Sequence, residues 1–194
     1  FAAFCPVLCP PPFVCDDPNT PANESTQPEM CEDVVGAGVV HPKGAQSSNT
    51  ACNFASGARY IDKSEPDITA AFECAARVGT GSTEDPEIPM GAMVNAISPT
   101  GEVATCNQGF LRDDAILVVT FITDEDDNQG DGSSGSPDGW KAALTAAKNN
   151  DPNAVVVLGI FGQQGGCAEY SSRLNEFVDL YGDKGFKGDV CASS

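Results

Sequence analysis

Two uninterrupted apolar runs, Ala115-Ile116-Leu117-Val118-Val119-Thr120-Phe121-Ile122 and Ala154–Phe161, constrain this chain more than any other feature. Neither alternates polar with apolar residues, so both read as strands of a parallel sheet buried on both faces. Each is far too short to cross a membrane. Between and after them the spacing is helical. Ser136 is an N-cap, Pro137 a first-turn residue, and Trp140 and Leu144 point inward on a helix from about Asp138 to Asn149. Leu174, Phe177, Val178 and Tyr181 share one face of a last helix that Gly182 ends. Upstream, Ile68, Ala71, Phe72 and Ala75 follow the start signals Ser64, Pro66 and Asp67, and Met90, Met93, Val94 and Ile97 mark a further short helix. Strand, helix, strand, helix predicts an α/β fold of three layers, a mostly parallel sheet with helices on both faces.

The first part of the chain is different. Residues 1–58 are rich in Pro, Cys, Asn, Thr and Gly and show no sustained apolar period, which predicts an irregular region pinned by disulfides. The α/β domain occupies residues 59–194. Cysteines stand at positions 5, 9, 15, 31, 52, 74, 106, 167 and 191, without paired Cys-x-x-Cys knuckles and with His41 the sole histidine. That dispersal argues against structural zinc and for disulfides in an oxidising compartment, so the chain is expected to be secreted, periplasmic or on the cell surface. Cys167 and Cys191 bracket the last helix at a spacing that suits a bridge worth roughly 3 kcal/mol, and Cys74 with Cys106 forms a second candidate pair. The odd count leaves one thiol free or paired outside the chain. Asn23-Glu24-Ser25 is a sequon of the kind found on exposed extracellular loops.

Net charge is −18, from 28 acidic and 10 basic residues. This sign opposes nucleic-acid and anionic-membrane binding and favours cations or basic partners. The charge is densest just after the first strand, in Thr123-Asp124-Glu125-Asp126-Asp127-Asn128-Gln129-Gly130-Asp131-Gly132. Carboxylates crowded at the carboxyl end of a strand repel unless solvent or a cation relieves them, and hard oxygen ligands suit Mg²⁺ or Ca²⁺. Asp127, Asp131, Gly132 and Asp138 also fall at positions of an EF-hand loop, although Gln129 is a poor ligand there and a strand precedes where a helix is required. For catalysis the signals are missing. His41 sits beside Pro42 in the irregular region, no nucleophile elbow, Walker loop or dinucleotide fingerprint occurs, and Gly162–Gly166 lacks the dinucleotide spacing. The chain is expected not to be an enzyme.

The segment Phe121-Ile122-Thr123-Asp124-Glu125-Asp126-Asp127, with Asn107–Ala115 before it, resembles the von Willebrand factor A (VWA)-like domains of exported bacterial proteins. Phe72–Gly81, Arg173–Val178 and Gly188–Cys191 fit the same pattern, so the resemblance covers about residues 55–194. It implies a doubly wound, Rossmann-like sheet and a metal-ion-dependent adhesion site built from three loops. Asp124 matches the aspartate at the end of a central strand; Thr80 or Thr83, with Glu84 as a substitute, matches the threonine loop; Asp126 and Asp127 are further candidates. The Asp-x-Ser-x-Ser motif and the first strand that carries it are absent from this chain, and Asp131–Ser136 imitates the motif after the wrong strand. The resemblance therefore implies an internal portion of a domain, with an open sheet edge and a missing complement, disulfide-linked or associated. Two functions follow as expectations. One is an adhesion module that uses Mg²⁺ or Ca²⁺ to engage a carboxylate on a protein partner. The other is a structural component of a surface assembly or filament, with no working metal site.

Overall fold

A computed structural model of the chain describes residues 31–32, 34–79, 87–128, 130 and 132–192. The elements, in order, are α1 (Ile68–Ala76), α2 (Pro89–Ala96), α3 (Gly101–Cys106), β1 (Leu117–Ile122), α4 (Pro137–Ala147), β2 (Val155–Phe161), α5 (Ser172–Asp179) and β3 (Gly185–Asp189). The protein is thus of mixed α/β class. Residues 34–67 run through turns and bends with neither helix nor strand. Side-chain caps start three of the helices: Asp67 accepts from Ala70 N–H, Ser136 from Gly139 N–H and Ser171 from Leu174 N–H. After α4 the chain turns through Asn149 and Asn150, both with positive φ, conformations that asparagine adopts more easily than most residues.

Among the described residues the sheet has three parallel strands in the order β1-β2-β3. Leu117 lies beside Val155 and Ile122 beside Ile160, while Val157 lies beside Gly185 and Phe161 beside Asp189. Both crossovers step the same way across the sheet. Parallel crossovers are right-handed almost without exception, so two steps in one direction stack α4 and α5 on one face. There they form the core. Trp140, Leu144, Leu174, Phe177 and Val178 pack with Met90 of α2 against Phe121, Val155, Val157 and Phe161. The Phe121 and Phe161 rings stack at 5.7 Å, and Phe177 meets Trp140 edge-on at 5.9 Å. Gly159 makes that stack possible, because a Cβ there would lie 2.5 Å from the Phe121 ring. Fully burying an aromatic or branched side chain contributes about 1.5–3 kcal/mol, so this one cluster accounts for much of the fold's stability.

Among the described residues the other face of the sheet is open, so these residues form two of the three expected layers. Among the described residues no helix covers it. The apolar runs predict strands buried on both sides, but β1 packs Leu117, Val119 and Phe121 inward and leaves Val118 and Ile122 62% and 66% exposed. The reason is topological. Apolar composition records that a strand expects cover on both faces, whereas the one-way strand order supplies cover on only one. Helix α1 shows a similar mismatch. Its Ile68 and Phe72 form the predicted apolar face, yet none of its residues is buried.

Among the described residues three disulfides join Cys31 to Cys106, Cys52 to Cys74, and Cys167 to Cys191. They indicate an oxidising, extracytoplasmic environment. The candidate pairing of Cys74 with Cys106 is corrected by local backbone geometry. Ser48 N–H donates to Arg77 C=O, which lays the segment holding Cys52 along the end of α1 beside Cys74. At the end of α3, the Asn107 carboxamide donates to Gly36 C=O and accepts from Gly38 N–H, drawing the residues after Cys31 towards Cys106. Cys5, Cys9, Cys15 and the Asn23 sequon lie outside the described residues. Among the described residues no helix is long and apolar enough to cross a membrane.

Candidate functional site

Two features meet at β1: the acidic loop at its carboxyl end and the uncovered face along its length. The loop leaves the sheet at Thr123, whose N–H donates to Ile160 C=O as a last ladder bond. The buried Thr123 hydroxyl donates to Glu87 Oε2 at 2.9 Å and accepts from Glu125 N–H at 3.2 Å, closing a tight turn. Asp124 uses its carbonyl to accept from Glu169 N–H at 3.0 Å, which ties the loop to the segment after β2, and its side chain is exposed. The Asp126 carboxylate accepts from the Asn128 side-chain amide.

Asp127 behaves differently from its neighbours. It is wholly buried, and protein donors surround its carboxylate. Oδ2 accepts from the Ser133 hydroxyl at 2.7 Å and from Met90 N–H, at the start of α2, at 3.2 Å. Oδ1 accepts from Ser133 N–H and lies 3.8 Å from Arg173 Nη1. Ser133 Oγ also accepts from Gly91 N–H at 2.7 Å, so the carboxylate and the hydroxyl together satisfy two amides of the first turn of α2. Arg173 closes the group from the α5 side. It donates to the carbonyls of Asp127, Ser133 and Gly135 and lies over the Trp140 ring at 4.5 Å. This is a latch that fastens the loop to α2, α4 and α5, and it gives Asp127 a structural role. Sequence reasoning placed Asp127 among ligands and gave Ser133 and Arg173 no role beside it. The one sequence signal for the pairing is that this loop, the most acidic stretch of the chain, needs a cation, which Arg173 supplies.

Of the predicted metal-site residues, Asp124, Asp126 and Asp127 lie on one loop but face different surroundings. Thr80, Thr83 and Glu84 lie outside the described residues, as do Gln129 and Asp131 of the EF-hand-like pattern. Among the described residues no group of three or more His, Cys, Asp or Glu side chains is arranged to hold a metal ion.

The uncovered face is made by Val118 and Ile122 of β1, with Ile116 just before the strand, by Val156, Leu158 and Ile160 of β2, and by Phe186 of β3. The register sets Val118 beside Val156, Ile122 beside Ile160 and Leu158 beside Phe186, so these side chains are contiguous. The face runs to a free edge. Because Thr123 N–H points to β2, strand alternation directs the amides of Ile122, Thr120 and Val118 away from β2, to the side where no strand lies among the described residues. At the other end of β1, Arg112 pairs with Asp114 at 3.2 Å, and this hydrogen bond holds the Asp114 carboxyl below its ordinary range. The buried Lys148 caps the carbonyls of Arg112 and Asp113. Set against family models, curated proteins and solved structures, the chain gives no match.

Proposed function

We propose that this chain is a protein-binding component of an extracytoplasmic assembly, in which another polypeptide covers the open face of the sheet and no divalent ion is required. The observation that carries the reading is the contiguous apolar face of Val118, Ile122, Val156, Leu158, Ile160 and Phe186, running to the free edge of β1. Parallel sheets are stable with both faces covered, and exposed apolar patches that run to an unpaired edge mark interaction surfaces or aggregation sites. The three-layer arrangement belongs, on this reading, to the complex. The buried Asp127, occupied by Ser133, Arg173 and Met90, favours it over adhesion through a bound ion. That rival would use Asp124, Asp126 and Thr80 or Thr83 around Mg²⁺ or Ca²⁺, completed by a partner's carboxylate.

Native mass spectrometry of the protein purified from the cells that make it tests the choice. A stoichiometric companion polypeptide is expected, retained in excess chelator and lost when Val118 and Ile122 are both changed to lysine. A companion released by chelator and recovered with Ca²⁺ or Mg²⁺ would transfer the function to the acidic loop. A chain with no companion would remove the proposal.

A further inference from the structure

The open face and the free edge are two views of one topological step. The strand order advances from β1 through β2 to β3, so right-handed crossovers place α4 and α5 on the same side. Cover for the second face comes, in a doubly wound sheet, from strands that advance the opposite way from the starting strand. The position next to β1 is therefore where such strands would join, and a strand placed there takes up backbone groups that have no ladder partner among the described residues.

The edge itself is built to accept one. Leu117–Ile122 carries no proline, no charge and no glycine, the devices that usually blunt an edge strand. Its side chains are β-branched or apolar throughout, and Val118, Thr120 and Ile122 present both their amides and their side chains to an incoming strand. Charge selects the partner. A second copy of this chain is disfavoured, because two β1 edges related by a twofold axis would run antiparallel. Asp124, Glu125 and Asp126 of one copy would then lie beside Asp113 and Asp114 of the other, against Arg112, which already pairs with Asp114, and the buried Lys148, on chains that each carry a net −18. The same carboxylates attract an opposite sign.

Resting on the assembly function above and making it specific, we infer that the free edge of β1 binds by strand addition an extended segment of another polypeptide, alternately apolar and flanked by lysine or arginine. Its backbone pairs with the amides of Val118, Thr120 and Ile122, its apolar side chains lie beside Ile116, Val118 and Ile122 on the open face, and its basic flank meets Asp124 and Asp126.

The probe is a short synthetic peptide alternating valine and threonine, with a pair of lysines at each end, added to the full chain while amide exchange is followed residue by residue. Exchange at Val118, Thr120 and Ile122 is expected to slow about tenfold or more on binding, the scale of one or two backbone hydrogen bonds. Affinity should fall as salt rises, and a glutamate-flanked peptide should not bind. Thr120→Pro deletes one outward amide at an edge position where proline is tolerated, and should weaken binding about tenfold. N-methylation of alternate peptide residues is the matching test that leaves the protein unaltered. Binding that survives N-methylation yet is lost when Val118 and Ile122 become lysine would overturn strand addition while leaving the assembly function standing. Binding indifferent to both changes would sink the two together. Dimerisation without peptide, with the same three amides protected, would overturn the inference in favour of a second copy.

Discussion

Ser133 holds both oxygens of the buried Asp127 carboxylate, its N–H on Oδ1 and its hydroxyl on Oδ2 at 2.7 Å. Ser133→Ala removes the hydroxyl from that carboxylate and from Gly91 N–H, and should destabilise by about 1–3 kcal/mol. Asp127→Ala leaves Arg173, Met90 N–H and Ser133 N–H short of an anion and should cost more, about 3 kcal/mol or above. Urea unfolding of the two variants beside the parent measures both. Equal stability of Asp127→Ala and the parent would show that the latch contributes nothing.

The same contacts govern the response to metal. Adding Ca²⁺ or Mg²⁺, or a chelator, is expected to leave the melting temperature unchanged. An ion held at a hundred times its dissociation constant would add about 2.7 kcal/mol, an easily measured upward shift. Asp124→Ala discriminates further, since its exposed carboxylate can be removed with little effect on stability unless an ion depends on it.

Tyr181 carries a buried hydroxyl with no hydrogen-bond partner among the described residues, and burial pushes its phenol well above the ordinary value of 10.0. Below pH 10 the folded and unfolded chains are both protonated at this group. As the pH rises past 10 the unfolded chain gives up the proton that the folded chain keeps, so stability must fall. Tyr181→Phe should therefore delay alkaline unfolding and, by removing an orphaned polar group, stabilise at neutral pH by about 1 kcal/mol. Denaturation curves at pH 7 and above pH 10 test both claims.

The three disulfides differ in what they are expected to contribute. Cys31–Cys106 closes a separation of 75 residues, against 22 for Cys52–Cys74 and 24 for Cys167–Cys191. Chain entropy assigns about 4.5 kcal/mol to the long closure and about 3.4 to either short one. Paired alanine substitutions, with melting followed for each, should place Cys31→Ala with Cys106→Ala lowest in stability.

The elements with strong periodicity could be read from sequence because packing reinforces them. Leu174, Phe177 and Val178 fall on one face of α5 and are buried, and Ser136 with Pro137 starts α4 where capping chemistry places it. Helix α3 escaped notice because Gly101 and Thr105 lie in a six-residue element too short for an apolar period. Strand β3 escaped because Gly-Phe-Lys-Gly-Asp has one apolar side chain. At the candidate site the acidic loop was conspicuous, but its carboxylates look alike in sequence. Only tertiary contacts separate Asp127, enclosed by Ser133 of its own loop, Met90 of α2 and Arg173 of α5, from Asp124, which faces water. The open face was illegible for a related reason: Val118 and Val157 are the same residue type, and what distinguishes them is whether a helix lies above.

The Cys31–Cys106 bond also has a mechanical consequence. A pull on the N-terminal region arrives at the end of α3 through a covalent link and bypasses everything between. Up to roughly 250 Å of contour, 75 residues at extended spacing, is withheld from elongation while the link is intact. A chain stretched between two attachment points would therefore be short and stiff under oxidising conditions, and would gain that length only after reduction.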